Sequence, residues 1–154
     1  QTDSTLVYTG ASTNQVVGLS HLDGKPVTVK ADGVIGDATV AGCSITLAAN
    51  ATDIQVGLPY TAQLRTLRIE LPTNTGSAQA RRKRLNEVIA RVYCTTGPFL
   101  LNGESVTLPE ASFTGDVRKT NLGWDKEGQV TVTQSSPLPL TLLALTGDIV
   151  IGDD

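Results

Sequence analysis

The sequence predicts an all-β fold, an antiparallel β-sandwich or barrel-like domain of short strands and long loops. Three observations predict it. Apolar side chains recur with a period of two in many short segments. Turn-forming Gly, Pro, Asn and Asp punctuate these segments at roughly ten-residue spacing. Glycine is abundant, at 15 residues, and aromatics make up only 4%. The core must therefore be built from Val, Leu, Ile and Ala, and the many Thr and Val favour strands over a helical bundle.

Each element follows from the local pattern. Leu6-Val7-Tyr8 suits an edge strand within a Thr- and Ser-rich start. Val27, Val29 and Ala31 alternate with Thr28 and Lys30, and Asp32-Gly33 supplies the positive-φ pair of a tight hairpin. Val34 to Val40 returns, and Ala41-Gly42 turns again. Ile45 and Leu47 share one face of a short strand, Asn50 to Asp53 is a turn, and Ile54, Val56 and Leu58 alternate in the next strand. Leu64 to Leu71 forms another strand, and Pro72 to Gln79 is an exposed loop.

Arg81 to Cys94 fits two periods. Leu85, Ile89 and Val92 have helical spacing, whereas Val88, Ala90, Val92 and Cys94 alternate. The β-branched content and strand-rich surroundings favour a strand over 86–94. Thr95 to Pro98 turns, and Glu104 to Leu108 is short and extended. Asp116 to Gly128 is polar and irregular around Trp124. Gln129 to Gln134 is a strand with Val130 and Val132 on one face. Pro137-Leu-Pro139 redirects the chain into a last strand from Leu140 to Ile151, kinked at Gly147-Asp148. Residues 1–16 are expected as a linker or edge strand, and 17–154 as a single β-rich domain.

The chain has 154 residues, enough to bury a core without disulfide or metal staples. Its net charge of −3 gives no bulk attraction for nucleic acid or an anionic membrane. No apolar run approaches the roughly 18–20 residues of a membrane-spanning helix. With Gln1 at its start and no Met, the sequence is expected to be part of a longer chain.

Enzyme signatures are missing, so no catalytic residue, metal ligand or cofactor is assigned. The single histidine, His21, has only Asp23 near it in sequence and suits a hydrogen-bonded turn. Cys43 and Cys94 fit no zinc or redox spacing. They are read as buried free thiols, with a disulfide as the alternative. Asp116, Asp125 and Glu127 are the one carboxylate set that a glycan hydrolase could use, and their flanks are ordinary turn chemistry.

Two sets of residues are candidates for contact with a partner. Arg81, Arg82, Lys83 and Arg84 form the only dense charge run, suited to docking another chain, to phosphate, or simply to solvent. Trp124 and Tyr60 suit anchoring in a core or interface, with a sugar-stacking platform as the alternative. Leu138 to Leu145 is a Pro-punctuated apolar stretch, suited to a core strand or to a seam against a neighbour.

Four segments carry a resemblance. They are Gly18-Leu-Ser-His-Leu-Asp-Gly24 with Val27-Thr-Val-Lys-Ala-Asp-Gly33; Val56-Gly-Leu-Pro-Tyr60 leading into Leu64 to Leu71; Gln79-Ala-Arg-Arg-Lys-Arg-Leu-Asn86 leading into Val92-Tyr93; and Val130-Thr-Val-Thr-Gln-Ser-Ser-Pro-Leu-Pro-Leu140. In this order they resemble the carboxyl-terminal part of tail nozzle proteins (tail tubular protein B-like) of short-tailed bacteriophages. The resemblance implies a non-enzymatic structural protein located in the virion, in the phage tail. It implies a homo-oligomeric ring, a hexamer, that contacts the adaptor ring and tail fibres or spikes. Phage DNA would pass its channel during ejection, and no membrane is involved. A cyclic ring needs two different faces to meet. The basic run and the acidic end at Asp148, Asp153 and Asp154 are expected to supply such a pair. The alternative is a carbohydrate- or receptor-binding β module.

Overall fold

The computed structural model describes residues 2–70, 72–73, 76–78, 81–120 and 122–152. The fold is all-β with antiparallel pairing throughout, and the described residues form no α-helix and no closed barrel. The chain divides into two compact units, residues 1–60 and 61–154. Residues 3–17 form a strand of the first unit, at the edge of its sheet.

The first unit is one four-stranded sheet. Its strands are β1 (Asp3–Val17), β2 (Pro26–Ala31), β3 (Val34–Thr39) and β4 (Ser44–Leu58), in the order β1-β4-β2-β3. The β2–β3 hairpin turns as expected, with Asp32 at φ 45° and Gly33 at φ 89°. A single 3₁₀ turn, Ser20–Leu22, buries Leu22. Register shifts between Thr9 and Gln15 break the β1–β4 ladder. Such irregularities bend a strand pair and sharpen its twist. As a result Val16 and Ile45, from one end of that pair, pack into the same core as Ile54, Val56, Val27 and Val29.

The turn expected at Asn50 to Asp53 is absent, and β4 runs unbroken for 15 residues. The cause is a tertiary contact. The Asp32 carboxylate accepts hydrogen bonds from the amides of Thr52 (3.1 Å) and Asp53 (2.8 Å) and from the Thr52 hydroxyl (3.1 Å). The Asp32 amide donates in return to the Asp53 carbonyl at 2.8 Å. Polar residues that would otherwise cap a turn are held extended by the neighbouring hairpin tip.

The second unit is a sandwich of two sheets with a small separate hairpin. Its strands are β5 (Ala62–Arg65), β6 (Pro72–Thr73), β7 (Gly76–Ser77), β8 (Lys83–Thr95), β9 (Phe99–Leu101), β10 (Glu104–Val106), β11 (Phe113–Thr120), β12 (Trp124–Asp125), β13 (Thr131–Gln134) and β14 (Leu142–Ile151). One sheet has the order β10-β9-β13-β5. The other is centred on β8, with β11 and β12 along one side and β14 along the other. Leu85, Val88, Ala90 and Val92 from β8 pack with Phe99, Leu101, Val106 and Val132 from the first sheet and with Val130 just before β13. This common core makes the two sheets a sandwich.

Three sequence expectations for this unit need correction. The strand placed at Leu64 to Leu71 ends at Arg65, and Leu67 is 88% exposed; Leu71 lies outside the described residues. The loop at Pro72 to Gln79 contains the β6–β7 hairpin, with Asn74, Thr75 and Gln79 outside the described residues. The first part of the polar stretch Asp116 to Gly128, through Thr120, belongs to an eight-residue strand, β11. Asp116 and Arg118 on it have charged cross-strand partners. Arg91 forms a two-pronged ion pair with Asp116 (2.7 and 2.8 Å), and Arg118 reaches Glu87 at 3.3 Å. The strand over 86–94 is present and extends to 83–95.

Candidate functional site

The basic run divides between two environments. Lys83 and Arg84 open β8, whereas Arg81 and Arg82 precede it. Successive strand residues point to opposite faces. Lys83 shares its parity with buried Leu85 and is itself 1% exposed, whereas Arg82 is exposed and Arg84 half-buried. Beyond Leu85 the buried set becomes Val88, Ala90 and Val92. The change of parity falls where the β8–β14 register shifts, with Asp148 opposite Glu87 and Ile149 opposite Leu85. The expected four-residue docking patch therefore loses its lysine to the interior.

The Lys83 ammonium donates to the carbonyl of Lys126 at 3.0 Å and to that of Arg81 at 3.5 Å. Its stem fills the space beside Gly128, where a Cβ would meet Lys83 Cδ at 2.8 Å. Gly128 also has φ 60°, a conformation that favours glycine. A cavity of about 210 Å³ is lined by Lys83, Arg68, Ile69, Lys126 and Glu127. Glu127 is held by two guanidinium groups, Arg65 at 3.2 Å and Arg68 at 2.7 Å.

Trp124 sits on β12 opposite Arg84 and is 51% exposed. Gly152 lies against its ring, since a Cβ there would approach Cζ3 to 3.1 Å. Tyr60, 41% exposed, is the last residue of the first unit, whereas Trp124 belongs to the second. The acidic end does not stand apart from the basic run. β14 pairs alongside β8 with Val150 opposite Arg84 and Ile151 opposite Lys83, and the Gly152 amide donates to the Arg82 carbonyl at 2.8 Å. Asp148 accepts from the Asn86 amide at 3.3 Å, and Asp153 and Asp154 lie outside the described residues.

The three carboxylates weighed as a hydrolase set each have their own partner. Asp116 is clamped by Arg91, Asp125 accepts from the Gly128 amide at 3.1 Å, and Glu127 bridges Arg65 and Arg68. The hydrogen bonds from Arg91 hold the Asp116 carboxyl below its ordinary range, and the same contact raises Arg91. Asp32 is likewise lowered, first by the Asp53 amide and then by the Thr52 amide. Tyr93 is raised by its hydrogen bond to Cys94. Both cysteines are free and exposed, which corrects the expectation of buried thiols. Both have positive φ, 61° at Cys43 in the turn before β4 and 42° at Cys94 within β8, where its register with β11 shifts. His21 sits in the 3₁₀ turn with Nε2 3.1 Å from the Ser4 carbonyl. Among the described residues no group of three His, Cys, Asp or Glu side chains could hold a metal ion.

Sequence reasoning missed the buried lysine and the groove on the first unit. That groove, about 460 Å³, is lined by Val34, Ile35, Ala38, Leu47, Ala49 and Ala51 among others. A signal for Lys83 was present, because Leu85 two residues later shares its face. No family model matches the chain, and no curated protein matches it either.

Proposed function

We propose that this chain is a structural component of a bacteriophage tail, a nozzle or tail-tube ring subunit that works through contacts with like copies and neighbouring tail proteins. The observation that carries the proposal is the set of four ordered segments that resemble tail nozzle proteins. Their positions in the fold suit a structural role. Gly18 to Gly33 builds the 3₁₀ turn and strand β2; Val56 to Leu58 ends β4; Lys83 to Tyr93 is most of β8; and Thr131 to Gln134 forms β13. These are the strands that carry the two cores. A subunit loaded by its neighbours needs such rigid β modules with edges or faces left for docking. β14 offers one edge, since among the described residues it pairs with β8 alone.

The test is native mass spectrometry of the purified chain, with imaging of the assembly. A closed ring of like copies is expected. Reversing charge at Arg81 and Arg82 should weaken that ring, most strongly at low salt, where exposed charges are least screened. A monomer at all concentrations whose Arg81 and Arg82 variants behave identically would overturn the reading. The second reading, a carbohydrate- or receptor-binding module, draws on the half-exposed Trp124 ring. It predicts glycan binding that Trp124→Ala removes.

A further inference from the structure

Lys83 is 1% exposed, and its ammonium has no carboxylate partner among the described residues. Two backbone carbonyls take two of its three N–H donors, and no counter-charge is in direct contact with it among the described residues. Burying a charge without a counter-charge is costly. The Lys83 side chain lines a cavity of about 210 Å³, well above the roughly 30 Å³ share of one liquid water. Arg68, Lys126 and Glu127 also line it, Lys126 offering Lys83 its backbone carbonyl. Glu127 already has both oxygens engaged by Arg65 and Arg68, and so it fixes the Arg68 guanidinium at the cavity.

We infer that this cavity is a binding site for a single tetrahedral oxyanion of the phosphate class. Lys83 and Arg68 would donate charge-assisted hydrogen bonds to it, the geometry for which guanidinium and ammonium groups suit phosphate. The site lies wholly within the second unit and goes beyond the tail-assembly reading. The oxyanion has two sources, free phosphate or one phosphate of a nucleic-acid backbone.

The experiment follows thermal unfolding of the whole chain by fluorescence of Trp124, its only tryptophan. Sodium phosphate is titrated at constant ionic strength against chloride, and a short DNA duplex is titrated in phosphate-free buffer. A ligand that binds only the folded state raises the midpoint with concentration. Phosphate is expected to raise the midpoint where chloride does not. Arg68→Gln, a change at an exposed side chain, should weaken half-saturation by about tenfold, the weight of one charge-assisted bond. Lys83→Met should abolish the effect, and Arg82→Gln, on the opposite face, should leave it unchanged. A duplex that stabilises in the same Arg68-dependent way, with free phosphate weaker, would assign the oxyanion to DNA. If neither ligand shifts the midpoint beyond chloride, the site is not an oxyanion site. The same holds if the shift survives Arg68→Gln, a variant that decides the matter even if Lys83→Met does not fold. Ring formation by native mass spectrometry is read separately, so either proposal can fail alone.

Discussion

The two units solve the same problem differently. Each is organised by one long strand paired on both sides, the 15-residue β4 and the 13-residue β8. Among the described residues the first unit's core is hydrocarbon apart from Thr28, whose hydroxyl donates to Asp37 at 3.0 Å. The unit spends its polar chemistry at the surface, where Asp32 ties the hairpin tip to β4. The second unit draws a cation inward at the first residue of β8 and relies on two carbonyls and a glycine to seat it. The difference teaches that strand parity decides burial before side-chain chemistry does. A lysine at an inward position is taken inside when its stem can pack and its ammonium can find acceptors.

The largest expected effects come from the cores. Phe99→Ala should cost the second unit about 3–5 kcal/mol, and Ile54→Ala should cost the first about 2–5 kcal/mol. Both residues are nearly fully buried. Urea midpoints followed by Trp124 fluorescence for the first variant and by amide exchange in β4 for the second would measure them. Equal sensitivity of both probes to both variants would erase the contrast between the units.

Next comes Gly128→Ala, which should cost more than about 1 kcal/mol, because it combines a positive φ with contact against the Lys83 stem. Gly33→Ala has the positive φ but nothing within 4 Å, so its cost should be the smaller of the two. Urea denaturation of the pair separates backbone strain from crowding of the lysine. A Gly128→Ala variant as mild as Gly33→Ala would mean that the stem yields freely.

The pH response should mark the first unit through Asp32. Its folded carboxyl titrates below its unfolded value, so the folded state binds fewer protons there. The resulting stabilisation is present above the unfolded pKa, roughly 3.9, and is lost as pH falls through the folded one. Asp32→Asn should flatten this acid limb, read as amide exchange of Thr52 and Asp53 across pH 2–5. An unchanged acid limb would show that the contact contributes nothing to folding. Smallest of all is the Arg91–Asp116 pair, whose side chains are 61% and 37% exposed. A double-mutant cycle should find a weak coupling that disappears in high salt.

How much of this was legible in the sequence depended on where each polar group found its partner. The β2–β3 hairpin was legible because Asp32-Gly33 carries its own backbone preference. Strand β13 was legible because Val130 and Val132 alternate with threonines. Strand β11 was not, because Asp116, Arg118 and Lys119 resemble loop residues until Arg91 and Glu87 stand across from them. The continuity of β4 was hidden for a similar reason, since the partner of Thr52 and Asp53 lies twenty residues away in Asp32. At the candidate site, the cluster Arg81 to Arg84 was visible as charge, but its division into inward and outward members required the register of β8. The pairing of Glu127 with Arg65 and Arg68 left no sequence signal at all.

The seating of the basic run also governs how the chain meets a protease. Four consecutive cationic residues would ordinarily be the first place for trypsin to cut, since cleavage needs a segment that can leave its surroundings and extend into the enzyme. Here the peptide groups following Arg82 lie in a ladder with Val150, Ile151 and Gly152, and one of the four side chains is locked inside. Cutting after Lys83 requires β14 to peel away first. Its rate therefore measures local opening of the carboxyl-terminal strand. Any partner that covers or extends β14 would register as resistance to digestion at this run.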